Sequence, residues 1–157
     1  MIISVVVAIF CTMLSPVPAV LLSSENQQMQ CLLPNEFTLK WRHSVEKQYW
    51  QEVYHLQDDM LILDKTYMQS FGAGMPVLGK TVSAPKGYVG QWVGLTMPQL
   101  NWVVSRNMQG EIITQGASLP ISQRLADYSE VVIAPSSPSL WRYWQLPRCE
   151  TLYSKSV

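Results

Sequence analysis

Residues 37–76 read FTLKWRHSVEKQYWQEVYHLQDDMLILDKTYMQSFGAGMP, and the alternation within this stretch decides the fold class. Phe37, Leu39, Trp41 and Val45 fall on one face of an extended chain with His43 among them, while Thr38, Lys40, Arg42, Ser44 and Glu46 take the other. Tyr49 to Gln57 repeats the pattern with Trp50, Glu52, Tyr54 and Leu56 together. A turn of two or four residues at Lys47-Gln48 and a second at Asp58-Asp59 join these runs to Met60–Ser70 as a three-strand meander. This register pairs Val45 with Trp50, His43 with Glu52, Trp41 with Tyr54 and Leu39 with Leu56. Across the second turn it sets Leu61 against Leu56, Leu63 against Tyr54 and Lys65 against Glu52.

The predicted row His43–Glu52–Lys65 is the main chemical candidate. A carboxylate and an imidazole on a mostly apolar face each need a partner or revert to the neutral form. The row reads either as a satisfied polar rung or as an acid/base or ligand-anchoring dyad of His43 and Glu52, with Lys65 as its outer member. Neighbours on a strand point oppositely, so His43 does not activate Ser44, and His55 falls on the face away from His43. No metal site and no cofactor is predicted. Ser70-Phe71-Gly72-Ala73-Gly74-Met75-Pro76 closes the meander, with Gly72 and Gly74 allowing either a tight turn or an anion-binding run of backbone N–H groups. It lacks the Lys-Ser/Thr of a phosphate loop and the third glycine of a dinucleotide loop.

His43-Ser44-Val45-Glu46, Glu52 and the Ser70–Pro76 loop, in that order and spacing, resemble the bacterial family called domain of unknown function 1850. The resemblance implies a small exported protein, often encoded beside TAXI-type TRAP transporters, with Ser70, Gly72 and Gly74 on a surface for a ligand or partner. It implies no activity. The expected partners are a TRAP-type permease or its periplasmic binding protein.

The chain has 157 residues, with 11 Lys and Arg balancing 11 Asp and Glu, so no basic stripe marks a nucleic-acid binder. Six Trp and seven Tyr suit strands and half-buried faces. Ile2 to Leu22 is apolar apart from Ser4, Thr12 and Ser15, with no charge until Glu25. Residues 1–24 are therefore read as a signal peptide, cut near Val20 after Val17-Pro18-Ala19, or as a retained membrane anchor. Residues 25–157 are expected to form one β-rich domain in the periplasm, or on the periplasmic face of the inner membrane. Cys11 lies within the apolar segment and follows bulky Phe10, a poor lipoprotein site. Cys31 and Cys149 remain as an even pair bracketing the domain, and a disulfide between them is expected in an oxidising compartment.

Beyond Pro76 the glycines from Gly79 to Gly94 suggest a long connection around short extended pieces. Strands are predicted at Leu100–Arg106, Glu111–Gln115, Glu130–Ala134 and Leu140–Leu146, with a helical turn within Ile121–Tyr128. The expected architecture is a small antiparallel β-sandwich or partly open β-barrel preceded by an apolar targeting or anchor helix. The expected function is a non-enzymatic accessory or binding protein. The alternatives are a small hydrolase-like acid/base enzyme using His43 and Glu52, or a structural envelope protein.

Overall fold

Runs of Val, Ile, Leu, Trp and Tyr broken by Asp, Gly and Pro give a chain of short strands, and the computed structural model, which describes residues 12–25, 29–70, 80–115 and 117–154, is built on two antiparallel sheets. The described strands are β1 Ala19–Ser24, β2 Gln30–Leu33, β3 Glu36–Arg42, β4 Tyr49–Gln57, β5 Met60–Met68, β6 Thr81–Val82, β7 Val89–Met97, β8 Leu100–Val103, β9 Glu111–Ile113, β10 Ser118–Leu119 and β11 Glu130–Ser136. They order as β2-β1-β11-β8 in one sheet and β10-β9-β3-β4-β5-β7-β6 in the other. Among the described residues neither sheet closes into a barrel.

A single core joins the sheets. Val20, Leu22, Val131 and Ile133 from the smaller sheet cluster with Phe37, Leu39, Tyr54, Leu61, Leu63 and Ile112 from the larger one. Phe37 and Tyr54, directly opposite across β3 and β4, stack with ring centroids 5.4 Å apart. Cys31 and Cys149 are bonded, with Cα atoms 4.9 Å apart, which fastens the start of a short C-terminal helix to β2.

Several expectations are corrected. The Asp58-Asp59 turn is tight, both residues having positive φ, as a two-residue hairpin requires. The first turn is not. β3 ends at Arg42 and β4 starts at Tyr49, and residues 43–48 form a loop closed by His43 N–H to the Gln48 carbonyl at 2.7 Å, with Lys47 at φ 58°. That lengthening slides the register by four: Leu39, not His43, opposes Glu52, and Trp41 opposes Trp50. An even shift preserves the faces, so the core residues of β3 and β4 remain those the alternation selects. Val45, now in the loop, is 80% exposed.

On β5, Asp64 is an extra residue between the Tyr54–Leu63 and Val53–Lys65 pairs. A one-residue bulge inverts the faces beyond it. Leu61 and Leu63 point to the core before it, Thr66 and Met68 after it, and Lys65 is turned away from the face that carries Glu52.

Three other segments differ. Residues 89–97 form one nine-residue strand, β7, paired along β5, rather than loose extended pieces; a Cβ on Gly90 would meet Tyr67 at 2.9 Å, so glycine there serves close packing. Leu140–Leu146 is helical, not extended: α1 spans Leu140–Gln145, and the Ser139 side chain accepts the Arg142 N–H at its start. The final helix, α2, spans Cys149–Ser154. Last, residues 19–24, read from sequence as the end of a targeting segment, form β1, paired on both edges. Among the described residues no helix is long and apolar enough to cross a membrane, and residues 1–11 lie outside them.

Candidate functional site

The six-residue loop between β3 and β4 places polar groups where a tight turn would have left none. Its backbone folds back on itself, the Lys47 N–H donating to the His43 carbonyl at 3.0 Å and Arg42 Nε donating to the Lys47 carbonyl at 3.1 Å. His43 stacks on Trp50 with ring centroids 5.2 Å apart. Its Nδ1 accepts the Glu46 N–H at 3.3 Å, so the neutral ring carries its proton on Nε2. A second loop faces this one. Between β8 and β9 the chain makes a single 3-10 turn, Arg106–Met108, pinned where Asp127 accepts from the Arg106 N–H at 2.7 Å and from its Nε at 3.2 Å.

A cleft of about 350 Å³ lies between the two loops, lined by Arg42, His43, Ser44, Lys47, Ser105, Asn107 and Met108. Two basic side chains, an imidazole, two hydroxyls and an amide share it, and among the described residues no carboxylate lines it. Such a set favours an anion: guanidinium and ammonium groups supply charge, and Ser and Asn supply neutral hydrogen bonds to carboxylate or phosphate oxygens.

The predicted row is not assembled. Among the described residues, no hydrogen bond joins His43 to Glu52 or Glu52 to Lys65. Lys65 instead pairs with Asp64 at 3.0 Å, and that hydrogen bond raises the ammonium pKa. Glu52 accepts from the Tyr54 hydroxyl at 2.5 Å. Ser70 is exposed, its hydroxyl accepting from Gln48 Nε2 at 2.6 Å; Gly72 and Gly74 lie outside the described residues. Of the predicted site residues that are described, only His43 lines the cleft. Ser105 and Asn107 were not singled out from sequence; the signal was the polar run Ser105-Arg106-Asn107, which overlaps the end of the predicted strand Leu100–Arg106.

Burial raises the Glu52 carboxyl above its ordinary value, and the Tyr54 hydrogen bond only partly offsets this. Tyr54 is raised as well, by burial and by the neighbouring carboxylate, so it remains a donor at neutral pH. A raised carboxyl holds its proton more tightly in the folded state than in the unfolded one. The resulting stabilisation is complete below the unfolded value, about 4.3, and is lost as pH rises through the folded value. Denaturant melts from pH 4 upward are therefore expected to show a decline in wild type that Glu52→Gln lacks. Parallel profiles for the two proteins would refute the buried carboxyl.

Residues 37–121 match the family model described as Domain of unknown function (DUF1850), and since the match spans more than half of the chain, the chain belongs to that family. No curated protein and no solved structure matches it.

Proposed function

We propose that this DUF1850 protein is a non-enzymatic binding module for a small anion, held outside the cytoplasm as an accessory of a TAXI-type TRAP transport system. The observation that carries the binding reading is the cleft in which Arg42 and Lys47 converge with His43, Ser44, Ser105 and Asn107, with no acid among the described residues that line it. Among the described residues His43 takes its hydrogen bond from the backbone N–H of Glu46 rather than from a carboxyl, so the arrangement favours holding an anion over proton transfer. The disulfide suits an oxidising compartment and supports the extracytoplasmic placement. The transporter association rests on the sequence resemblance. The two sheets over one core read as a sandwich.

Trp50, stacked on His43, makes its own fluorescence a reporter of occupancy. Titration with inorganic phosphate, acetate and succinate is expected to change the emission for at least one of them. Lys47→Gln removes a cation without touching the core, and should weaken that binding by roughly tenfold, as loss of one charge-assisted hydrogen bond does. No response to any of the three at millimolar concentration, or equal affinity in Lys47→Gln, would defeat the anion reading.

A further inference from the structure

The end of the domain where the chain comes in from its apolar N-terminal run carries a second, unrelated surface. Ser15 and Val17 are stitched to the segment before α1: the Leu140 N–H donates to the Ser15 carbonyl at 2.9 Å, the Val17 N–H donates to the Pro138 carbonyl at 2.9 Å, and Pro16 bridges Ser139. The last residues of the run thus lie beside α1. On that helix Trp141 and Trp144, three apart and so on neighbouring positions of its surface, are 58% and 62% exposed, and Leu14 is 58% exposed. Large side chains left this bare on a short helix need a covering phase.

The chemistry around them identifies it. Arg142 lies between the two tryptophans in sequence and is exposed, and exposed Arg148 sits 4.3 Å from the centre of the Tyr143 ring. Beside α1 runs a groove of about 290 Å³ lined by Gln30, Ser136, Ser137 and Arg142 among others, again with no acid among the described residues. Indole and phenol rings favour the boundary between hydrocarbon and water, and guanidinium groups pair with phosphate. Neither property alone requires a bilayer. Their junction with the apolar residues that precede Ser15, a stretch of interfacial rather than spanning length, points to one.

We propose that α1 is a membrane-docking element: Trp141, Trp144 and Leu14 enter the headgroup layer, and Arg142 with the Ser136–Ser137 groove binds the phosphate of an anionic phospholipid. The docking rests on the membrane-side placement proposed above and is independent of the anion cleft. It sets the domain flush against the bilayer rather than on a free tether, with the β3–β4 loop carried on the other sheet.

The test uses the full chain reconstituted with vesicles of phosphatidylglycerol and phosphatidylethanolamine bearing bromine on their acyl chains. The chain is expected to co-float and its tryptophan emission to be quenched. Most of that quenching is lost in the Trp141→Phe/Trp144→Phe double variant and is kept in Trp92→Phe, whose indole is exposed on β7 of the other sheet. Arg142→Gln, or replacing phosphatidylglycerol with phosphatidylcholine, reduces it. Co-flotation with quenching unchanged in the double variant overturns the docking, as does quenching that Trp92→Phe abolishes equally. A lipid-free oligomer that dissociates in the double variant gives the patch to a second copy instead. Failure to co-float overturns the membrane placement together with the docking, while the anion titrations stand or fall on their own.

Discussion

A chain shortened to begin at Glu25 will not fold, whereas one beginning at Ser15 will melt cooperatively. β1 is the strand that makes the smaller sheet: it pairs with β11 from Ala19↔Ser136 to Ser24↔Val131, and with β2 from Val20↔Leu33 to Ser23↔Gln30. Without it β2 has no strand neighbour, because the order is β2-β1-β11-β8. Val20 and Leu22 are fully buried, and each contributes about 1.5–3 kcal/mol by burial. Adding the lost ladder on two edges approaches the whole stability of an ordinary domain, about 5–15 kcal/mol. A cut before Val20 is a different matter, since it spares most of the strand. Far-UV circular dichroism and urea melts of the two shortened chains decide it. A cooperative transition in the chain from Glu25 would show that β1 is dispensable.

The same segment shows why part of the fold was illegible. Ala19-Val20-Leu21-Leu22 continues an apolar run, and composition alone cannot separate the end of a membrane-seeking stretch from a strand buried on a central position. Only its partners distinguish them, and β11 lies more than a hundred residues away. Within residues 37–42 and 49–63 the alternation was sufficient for faces, because a register error of four leaves every side chain on its own side. It was insufficient for the site. His43 and Glu52 share a face, yet only the length of the 43–48 loop fixes whether they meet, and Lys47 in the left-handed region is a conformation that its residue type does not announce. Asp64 hid the fate of Lys65 in the same way, since nothing about an aspartate in a strand marks it as a bulge. The cleft is harder still to foresee, for it joins residues 42–47 to 105–108 across intervening strands.

The double replacement Cys31→Ala/Cys149→Ala is expected to cost roughly 4–5 kcal/mol, the loop-closure value for a bridge that spans so long a segment. The sequence separation is 118 residues, so in the unfolded chain the bond confines nearly the whole domain. Both cysteines are fully buried, and the replacement side chains are smaller, so lost packing adds to the entropic term. The native contacts do not vanish with the bond: the Leu32 N–H still donates to the Pro147 carbonyl at 2.8 Å, and α2 still packs on β2. The alanine protein should therefore reach the same native fold with a lower urea midpoint, in contrast to the chain that lacks β1. Thiol labelling of the unreduced, denatured wild type should modify Cys11 and neither of the other two cysteines. Labelling of all three, or a midpoint that moves by less than the equivalent of about 1 kcal/mol, would show that the bridge does not hold the domain; the usual cost of losing a native disulfide in a small exported domain is about 2–5 kcal/mol. If the cost is as large as expected, the same fold is markedly more stable in an oxidising surrounding than in a reducing one.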